Sequence, residues 1–513
     1  MTNFNHSVKQ FFEKRGPAIV LSFLVFIFLL YMLRKIKLQK QNCKIIQANS
    51  KNVTFYSFNE LRNANYFKSG PSNDYSCKLK DFYYKGAYNC FSSGRFKNDY
   101  VDECALENCA NSGVRFLDMQ VFSLNKIPII AMNHDDNFFQ KDSYNHIDFN
   151  DAMEKINDDF LRDGNTKNHP LFLHLRLNYA SSNQGEELER KRMFYNQVHD
   201  IIIKVFDNNN QLFTKNQRIF YNNYDDSREQ IIADLPIEEC ENKVFVFITL
   251  NDNSSNSENF KSSKLNEITD LLSTSEQSIS IVRADEIVED NYISFRGLTK
   301  RKLVVCLPQA NQIRNNNYDF SNAVANGVQF ICMNFQNYDS MMNLYNDFFI
   351  SQIGSSSQNV SSPMIKKPDM LIDASIINES FFIPSMTYKI VTGIKSCYDT
   401  SGDETDPIIC TDVSSNNYQL FNIYQSLDNK DNYYFKTSIQ EKICDLSGDD
   451  LIYCNLNAPD KTSYFNFTRT GANTFKIRDA LNNNYCRQDS SGKIECSETL
   501  SQGETFEIKK TLL

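Results

Sequence analysis

Three hydrophilic side chains interrupt an apolar stretch at residues 113–122. They are Arg115, Asp118 and Gln120, and most of the residues around them are Val, Phe, Leu and Met. A run of this kind predicts a buried strand, in which polar groups need partners or a cavity to face. A carboxylate can bind a metal ion or exchange a proton, and a guanidinium can bind an anion. The stretch therefore predicts a functional site on this strand.

The histidines offer few candidates for acid–base or metal chemistry. Of the six in the chain, His134 is followed by Asp135 and Asp136, and this grouping could ligate a metal ion. An exposed acidic turn is the alternative interpretation. His174 lies in the apolar run 171–177, as a catalyst or as a hydrogen-bonded core residue. The sequence has no G-x-S-x-G nucleophile motif and no G-x-x-x-x-G-K-[ST] phosphate loop, so no complete active-site signature is present.

Between residues 81 and 350, short apolar runs alternate with helix-like segments. The runs lie at residues 171–177, 243–249, 279–282, 303–307 and 328–334. They have the length and composition of strands buried on both faces. Apolar residues at spacings of three and four, in segments 148–161 and 186–205, predict amphipathic helices. This alternation predicts a parallel sheet with crossover helices, either open or closed into a barrel.

The C-terminal part of the chain contains an internal repeat marked by cysteine pairs. The pairs are Cys397 and Cys410, Cys444 and Cys454, and Cys486 and Cys496. Each pair flanks a polar turn between strand-like segments, so residues 385–513 divide into three units of about four strands each. This arrangement predicts a β-trefoil with one disulfide in each unit. Reduced core cysteines and a metal site are the alternatives.

A long uncharged segment lies near the N-terminus. After a polar tail at residues 1–16, the chain from Pro17 to Leu33 has no charged residue, and Arg34 and Lys35 follow it. Its length is at the lower end of what can cross a hydrocarbon core. We therefore predict a transmembrane anchor over residues 17–34 of a single-pass membrane protein, with a cleaved signal peptide as the alternative. The flanking charges leave its orientation open, and residues 35–77 are predicted to form a linker or stalk.

The charge of the chain bears on its partners. The 513 residues carry a net charge of −9, and Lys and Arg are scattered along the sequence. A nucleic-acid-binding protein would instead gather them on one basic face, so we expect no nucleic-acid partner. With 41% hydrophobic residues, the chain can bury more than one domain core.

Five separated segments resemble one enzyme family, in the family's own order. They are residues 85–90, 113–119, 128–131, 170–177 and 327–336. With Lys366, Lys367 and Pro368 they resemble the catalytic barrel of the phosphatidylinositol-specific phospholipases C, most of all the divergent phospholipase-C-like proteins of large DNA viruses. The resemblance implies a distorted TIM (β/α) barrel of phospholipase C type over residues 78–372. A connector at residues 373–384 then leads to the all-β domain.

The resemblance also implies a mechanism in active members, where two histidines and often a calcium ion cleave a phosphodiester. In this sequence Tyr88 and Met132 occupy the two histidine positions, and neither side chain can exchange a proton near neutral pH. The family's calcium-ligand positions hold Asn89, Asp118, Gln120 and Arg176. Gln120 is uncharged and Arg176 is a cation, so these positions are not expected to bind a metal ion. If the site is active, the expected cofactor is calcium.

These substitutions predict a membrane-anchored phospholipase-C-like protein without catalytic activity, acting as a structural or recognition component of a membrane or virion. A phosphoinositide or other anionic head group is the expected ligand of the barrel mouth. The predicted anion-binding residues are Arg115, Arg176, His174 and Asn89. The alternative is an internal ion pair between Asp118 and Arg176 in a filled barrel.

A second hypothesis keeps the enzyme active. In it, a phosphoric diester hydrolase has rebuilt its acid and base from Asp118, His134 or His174. For the trefoil, fold analogy suggests a protein or glycan partner.

Overall fold

The structure is a computed structural model whose description covers most of the chain. The described residues are 2–49, 53–69, 75–134, 140–164, 166–179, 186–207, 211–213, 232–250, 260–273, 280–287, 292–350, 360–368, 371–372, 382, 387–399, 406–412, 420–426, 429, 432–438, 440–470, 474–497 and 504–511. The predicted connector at residues 373–384 lies outside this set, except for Phe382. Asp135 and Asp136, from the predicted acidic grouping, also lie outside it.

The helices vary widely in length. They are α1 (Thr2–Asn49), α2 (Phe58–Asn63), α3 (Glu103–Asn111), α4 (Phe149–Asn157), α5 (Glu186–Phe206), α6 (Tyr292–Thr299), α7 (Ser321–Ala325) and α8 (Ser340–Phe348). A π-helical turn, Asp158–Arg162, continues α4, and 3-10 turns lie at Leu79–Asp81, Ile237–Cys240, Lys264–Ile268 and Ala284–Glu286. Asp102 begins α3 and Asp339 begins α8, because each carboxylate accepts a hydrogen bond from a backbone N–H of the first turn.

The strands before the C-terminal domain form a nearly closed, mainly parallel barrel and one separate two-stranded sheet, which consists of the first two strands. They are β1 (Lys68–Ser69), β2 (Tyr75–Ser76), β3 (Phe82–Ala87), β4 (Phe116–Leu124), β5 (Ile127–Ala131), β6 (Ile147–Asp148), β7 (Leu171–Asn178), β8 (Val244–Leu250), β9 (Leu271–Ser273), β10 (Ser280–Arg283), β11 (Val304–Leu307), β12 (Phe330–Met333) and β13 (Met364–Lys366). Eight of them pair in the order β10, β11, β12, β3, β4, β7, β8, β9, always parallel. Among the described residues, no pairing joins β9 to β10. The predicted α/β barrel is confirmed.

Aromatic rings fill the barrel interior. Phe116, Phe172 and Phe247 surround Phe330, with ring centroids 4.6, 4.7 and 5.7 Å from it. All four side chains are fully buried. Side chains two residues apart on a strand point to the same face, so the inward residues after Phe116 are Asp118 and then Gln120. The apolar layer therefore forms a floor beneath the polar residues near the carboxyl ends of the strands.

Residues 35–77, predicted to be a linker or stalk, are instead partly helical and packed against the barrel. Helix α1 continues to Asn49, and the following residues pack onto the barrel. Ile46, Phe58, Leu61 and Phe67 are buried, because apolar side chains spaced among the polar residues of this segment reach the core. Within the described residues, no helix satisfies the length and apolarity required of a membrane span, so the predicted anchor is unconfirmed.

The C-terminal domain consists of antiparallel strands. They are β14 (Thr387–Thr392), β15 (Lys395–Tyr398), β16 (Ile409–Thr411), β17 (Phe421–Gln425), β18 (Tyr433–Thr437), β19 (Ile443–Leu446), β20 (Ile452–Leu456), β21 (Phe465–Arg469), β22 (Thr474–Asp479), β23 (Cys486–Gln488), β24 (Ile494–Cys496) and β25 (Thr505–Thr511). Strands β14, β17, β18, β21, β22 and β25 pair in a closed ring. Phe382 packs inside it, 4.9 Å from the ring of Phe467 and 5.2 Å from that of Phe475. The predicted all-β domain is confirmed as a barrel-like domain.

The remaining strands form three hairpins, and each carries a disulfide. The pairs Cys397–Cys410, Cys444–Cys454 and Cys486–Cys496 are bonded, and the members of each pair lie opposite one another in strand register. This confirms the three predicted disulfides over the alternatives of reduced cysteines and a metal site. A fourth disulfide, Cys43–Cys104, joins α1 to α3 and was not predicted.

Candidate functional site

The polar residues of the barrel come together at the carboxyl ends of β3, β4, β7 and β8. In the register of the sheet, Asp118 lies beside His174, and Gln120 lies beside Arg176. The next strand places Thr249 beside Arg176. These are the inward positions one and two layers above the aromatic floor. The sequence prediction of a polar site at this end of the barrel is therefore matched by the positions of Asp118, Gln120, His174 and Arg176.

Arg176 and Asp118 form the centre of this cluster. Arg176 Nε donates to Asp118 Oδ1 at 2.9 Å, and Arg176 Nη2 donates to Asp118 Oδ2 at 2.8 Å. The same Nη2 donates to Asn89 Oδ1 at 2.8 Å. The Asp118 side chain is 0% exposed and that of Arg176 is 7% exposed. The two charges thus form a bidentate, buried ion pair of the kind weighed as the alternative from the sequence.

The electrostatics of the pair keep both partners ionised. Burial opposes the charge on Asp118, but the Arg176 cation and the adjacent His174 outweigh it and lower the pKa of this carboxyl well below its usual range. Burial likewise opposes the charge on Arg176, but the Asp118 carboxylate raises the pKa of its guanidinium. Asp118 therefore stays ionised near neutral pH, and its low pKa makes it a weak proton acceptor.

Asn89 reaches the cluster through an unusual backbone conformation. Its φ is 45°, in the left-handed region that asparagine tolerates better than most residues. This turn after β3 points the Asn89 N–H at Asp118 Oδ2, 3.0 Å away, and its amide oxygen at Arg176. Asn89 therefore binds both members of the ion pair.

His174 links the ion pair to Thr249. Its Nδ1 lies 2.9 Å from Asp118 Oδ1, although the N–H bond is not directed at that oxygen. Its Nε2 lies 2.8 Å from Thr249 Oγ1. The imidazole is fully buried, between the aromatic floor and the ion pair. The sequence analysis did not identify Thr249, although a hydroxyl at the end of the apolar run 243–249 was a signal that could have found it.

Tyr88 and Met132 lie near the ion pair, at the two positions where the family resemblance implies catalytic histidines, and neither supplies acid–base chemistry. The ring of Tyr88 stacks against Arg176, with the guanidinium carbon 4.7 Å from the ring centroid. Met132 is 1% exposed, and the space that it lines with Asn89, Met119 and Gln120 has no room for a water-sized sphere. An aromatic ring and a thioether thus fill the volume near the ion pair.

The residues at the calcium-ligand positions do not fit a calcium ion. Arg176 Nη2 lies within 2.8 Å of both Asn89 Oδ1 and Asp118 Oδ2, so a cationic nitrogen already occupies the position between these two oxygens. Gln120 is bound elsewhere, because its Nε2 donates to Asn133 O at 3.0 Å and its Oε1 accepts from Asn133 N at 2.8 Å. Calcium requires several oxygen ligands, and a guanidinium among them repels the ion.

Two predicted residues do not join the cluster. Arg115 precedes β4 and lies at the amino end of the barrel, where its guanidinium donates to Pro170 O, Phe160 O and His169 O at 3.0, 3.1 and 2.5 Å. The prediction that Arg115 lies at the barrel mouth is wrong, because its guanidinium is bound to these carbonyl oxygens at the opposite end. His134 lies in the loop after β5 and contacts the Asp142 carboxylate through Nδ1.

The described residues contain one cluster of three side chains of metal-ligating type. It consists of Cys43, Asp102 and Cys104. The two cysteines are joined in a disulfide, and Asp102 caps α3 and accepts from Gln39 Nε2 at 2.8 Å. With these atoms engaged, the cluster serves a structural role between α1 and α3.

Comparison with protein families gives a match over part of the barrel. Residues 248–357 match the family described as phosphatidylinositol-specific phospholipase C, Y domain. No curated protein matches the chain. The predicted resemblance to the phosphatidylinositol-specific phospholipases C is thus confirmed, and the chain contains a phospholipase-C-like barrel. The relation to viral members of this class stays a prediction.

Comparison with solved structures gives similar proteins of low sequence identity. PLC21 of L. pealei and PLC21 of S. officinalis are each 12% identical to this chain, with TM-scores of 0.43. The likeness covers 87% and 85% of this chain and 59% and 55% of those chains, so this chain spans little more than half of their length. A structure titled BEL beta-trefoil is 9% identical, with a TM-score of 0.23, over 26% of this chain and 98% of that chain.

Proposed function

We propose that this protein is a membrane-anchored, phospholipase-C-like protein without phosphodiesterase activity, which serves as a structural or recognition component of the membrane of a cell or virion. The observation that carries this proposal is the guanidinium of Arg176, bonded to both Asp118 and Asn89 in the position where a catalytic cation would have to bind. A barrel filled in this way cannot polarise a phosphate through a metal ion.

The loss of proton-transfer groups supports the same proposal. Cleavage of a phosphodiester needs one group to remove a proton and another to protonate the leaving oxygen. Tyr88 stacks on Arg176, Met132 has no ionisable group, and Asp118 is held as an anion. We therefore propose that the barrel is retained for its shape and its surface.

An apolar surface on α1 supports the proposed anchor. Every described large hydrophobic side chain from Val20 to Leu33 is between 42% and 63% exposed. The segment carries no charge, and Arg34 and Lys35 follow it. An exposed apolar surface of this kind is covered by lipid or by another protein, and the basic residues at its end favour a lipid bilayer.

The C-terminal domain is proposed to be a β-trefoil that binds a glycan or protein partner. Six strands in a closed ring and three disulfide-linked hairpins support the architecture. The chain has no tryptophan, so a sugar would stack on tyrosine or phenylalanine. Tyr424 and Tyr434 are candidates, and their rings stack with centroids 5.1 Å apart. Binding on a glycan array is the expected result, and its loss in Tyr424→Ala identifies the site. An array without binding would count against the glycan as a partner.

The experiment that tests the proposed inactivity is a hydrolysis assay of the full-length protein. The purified chain is incubated with vesicles that contain phosphoinositides, with and without calcium, and released inositol phosphates are measured. No release above the buffer control is expected. The matched control is Lys167→Ala, which changes an exposed residue at the amino end of the barrel. Turnover that persists in this control and disappears in His174→Ala would overturn the proposal.

One observation favours the alternative of an active hydrolase. His174 Nδ1 lies 2.9 Å from Asp118 Oδ1, without the geometry of a hydrogen bond, and its Nε2 lies 2.8 Å from Thr249 Oγ1. A carboxylate, an imidazole and a hydroxyl follow one another in this order in enzymes that activate a nucleophile. The same assay decides between the two functions, because a hydrolase of this kind would lose its turnover in Thr249→Val.

A further inference from the structure

A cavity lies between helices α4 and α5, away from the barrel mouth. Its volume is about 190 Å³, and among the described residues it is lined by Glu154, Asn157, Asp158, Arg162, Lys204 and Val205. The first four belong to α4 and to the π-helical turn that continues it, and the last two belong to the end of α5. None of the six is part of the polar cluster around Arg176, so this cavity is a separate candidate site.

The π-helical turn forms one side of the cavity. Asp163 N donates to Asp158 O at 3.0 Å, a bond that spans five residues instead of the usual four. Arg162, at the end of the turn, donates from Nη1 to Asp158 Oδ1 at 3.0 Å. Both of these side chains are more than half exposed. Turns of this kind are rare and lie frequently at functional sites, which makes the cavity worth testing for a ligand.

Asn157 supplies an unused hydrogen-bond acceptor at the cavity. It is the last residue of α4 and is 3% exposed. Within the described part of the chain, its Oδ1 has no hydrogen-bond partner. A buried carbonyl oxygen without a donor is costly, and a molecule that brought an N–H or O–H group into the cavity would remove this cost. The unpartnered oxygen therefore indicates a ligand that carries a donor.

The charges around the cavity balance one another. Arg162 is paired with Asp158. On the opposite side, Lys204 Nζ lies 3.1 Å from Glu154 Oε1. The two carboxylates would repel an anion, and the guanidinium and the ammonium group would repel a cation. A zwitterion suits such a site, because each of its two charges can lie beside a side chain of opposite sign.

The Arg162 guanidinium and the size of the cavity narrow the class of ligand. The contact with Asp158 uses Nη1, and a guanidinium has further N–H groups in a planar fork that binds a carboxylate. The volume corresponds to about six water molecules, at roughly 30 Å³ each in the liquid. This space suits a molecule as small as an amino acid and is too small for a nucleotide or an oligosaccharide.

We propose that the cavity between α4 and α5 binds an α-amino acid as its zwitterion. Arg162 holds the carboxylate, and the ammonium group donates to Asn157 Oδ1 and to the carboxylate of Asp158. Val205 contributes the apolar contact, since it is 7% exposed in this lining. The site depends neither on the proposed anchor nor on the proposed loss of catalysis. Because its residues come from two helices, a bound amino acid also stabilises the packing of α4 against α5.

The test is the binding of a panel of L-amino acids to the full-length protein, followed by ligand-observed NMR and by thermal unfolding. We expect at least one amino acid to bind saturably and to raise the midpoint of unfolding. Its N-acetyl derivative lacks the ammonium group, and its amide derivative lacks the carboxylate. Each derivative should bind about tenfold or more weakly, the loss expected for one hydrogen bond to a charged group.

Two variants and a matched control locate the site. Arg162→Gln and Asn157→Leu should each weaken binding about tenfold or more. Asn157→Leu should still fold, because leucine fills a similar volume and leaves no unpaired oxygen. Arg301→Gln makes the first substitution at an exposed arginine after α6 and should bind as the natural protein does. The proposal is overturned if no amino acid binds, if the two derivatives bind as well as the parent amino acid, or if binding is unchanged in Arg162→Gln.

Discussion

Arg176 supplies the positive charge of the buried polar cluster in the barrel. It satisfies the carboxylate of Asp118 and the amide oxygen of Asn89, and the ring of Tyr88 covers its guanidinium. A buried carboxylate without a partner has a high desolvation cost, so a cation is needed at this position whether it is a metal or a side chain. In this chain the cation is part of the polypeptide.

Removing Arg176 alone should destabilise the fold. Arg176→Met leaves Asp118 buried and unpaired, and we expect a loss of roughly 3–5 kcal/mol in the free energy of unfolding. The double variant Arg176→Met/Asp118→Leu should recover most of this loss, because it removes both charges. Urea denaturation of the purified proteins measures both values. A single variant within about 1 kcal/mol of the natural protein would contradict the ion-pair account.

His169, at the amino end of the barrel, should make stability depend on pH. Burial, with the nearby Arg115 cation, lowers the pKa of His169 to about 3. The unfolded chain takes up this proton below about pH 6.5, so the contribution is fully present above that pH and is lost as the pH falls towards 3. The loss at pH 4 is on the order of 3 kcal/mol. His169→Gln, which can still donate to Tyr56 O, should show a flatter dependence between pH 6.5 and 4, and an unchanged slope would contradict this role.

The residues of the site differ in how far the sequence could predict them. Asp118 and Arg176 were identifiable, because each interrupts an apolar strand with a charge. Arg115 was assigned to the wrong end of the barrel. The apolar pattern did not show that β4 begins only at Phe116, which leaves Arg115 just before the strand. The contact between His174 and Thr249 depends on the register of β7 and β8, which separated segments of sequence do not specify.

At the scale of elements, the repeated hairpins were predictable and the position of α1 was not. Each hairpin places its cysteines opposite one another after a turn, so their spacing of 10 or 13 residues was sufficient. Cys43 and Cys104 are 61 residues apart and belong to two helices. Their pairing follows from the continuation of α1 past the apolar segment, which the polar composition of residues 35–49 did not indicate.

A thiol titration tests these elements together. Eight cysteines form the four disulfides, and the six that are buried outside any disulfide are Cys77, Cys90, Cys109, Cys240, Cys306 and Cys332. The denatured, unreduced protein should therefore give six thiols per chain, and the native protein should react slowly. A count of eight in the denatured protein, together with no change in Cys43→Ser/Cys104→Ser beyond the loss of two, would contradict the bond between α1 and α3.

At the scale of the whole molecule, the chain has three parts. They are the helix α1 with its exposed apolar segment, the phospholipase-C-like barrel, and the disulfide-linked C-terminal domain. The barrel architecture was predictable from alternating strands and helices. The closure of its mouth was not, because it depends on side chains from three strands, β4, β7 and β8, and from the loops after β3 and β5, which meet only in the folded protein.

We propose that Arg176 occupies the position of a catalytic cation, and calcium titration of the full-length protein tests this most directly. Isothermal titration calorimetry should detect no stoichiometric calcium binding in the micromolar range, because the guanidinium excludes the ion from Asn89 and Asp118. One calcium ion bound per chain with micromolar affinity would contradict this role of Arg176, provided that the binding is lost in Asn89→Ala and retained in Lys167→Ala.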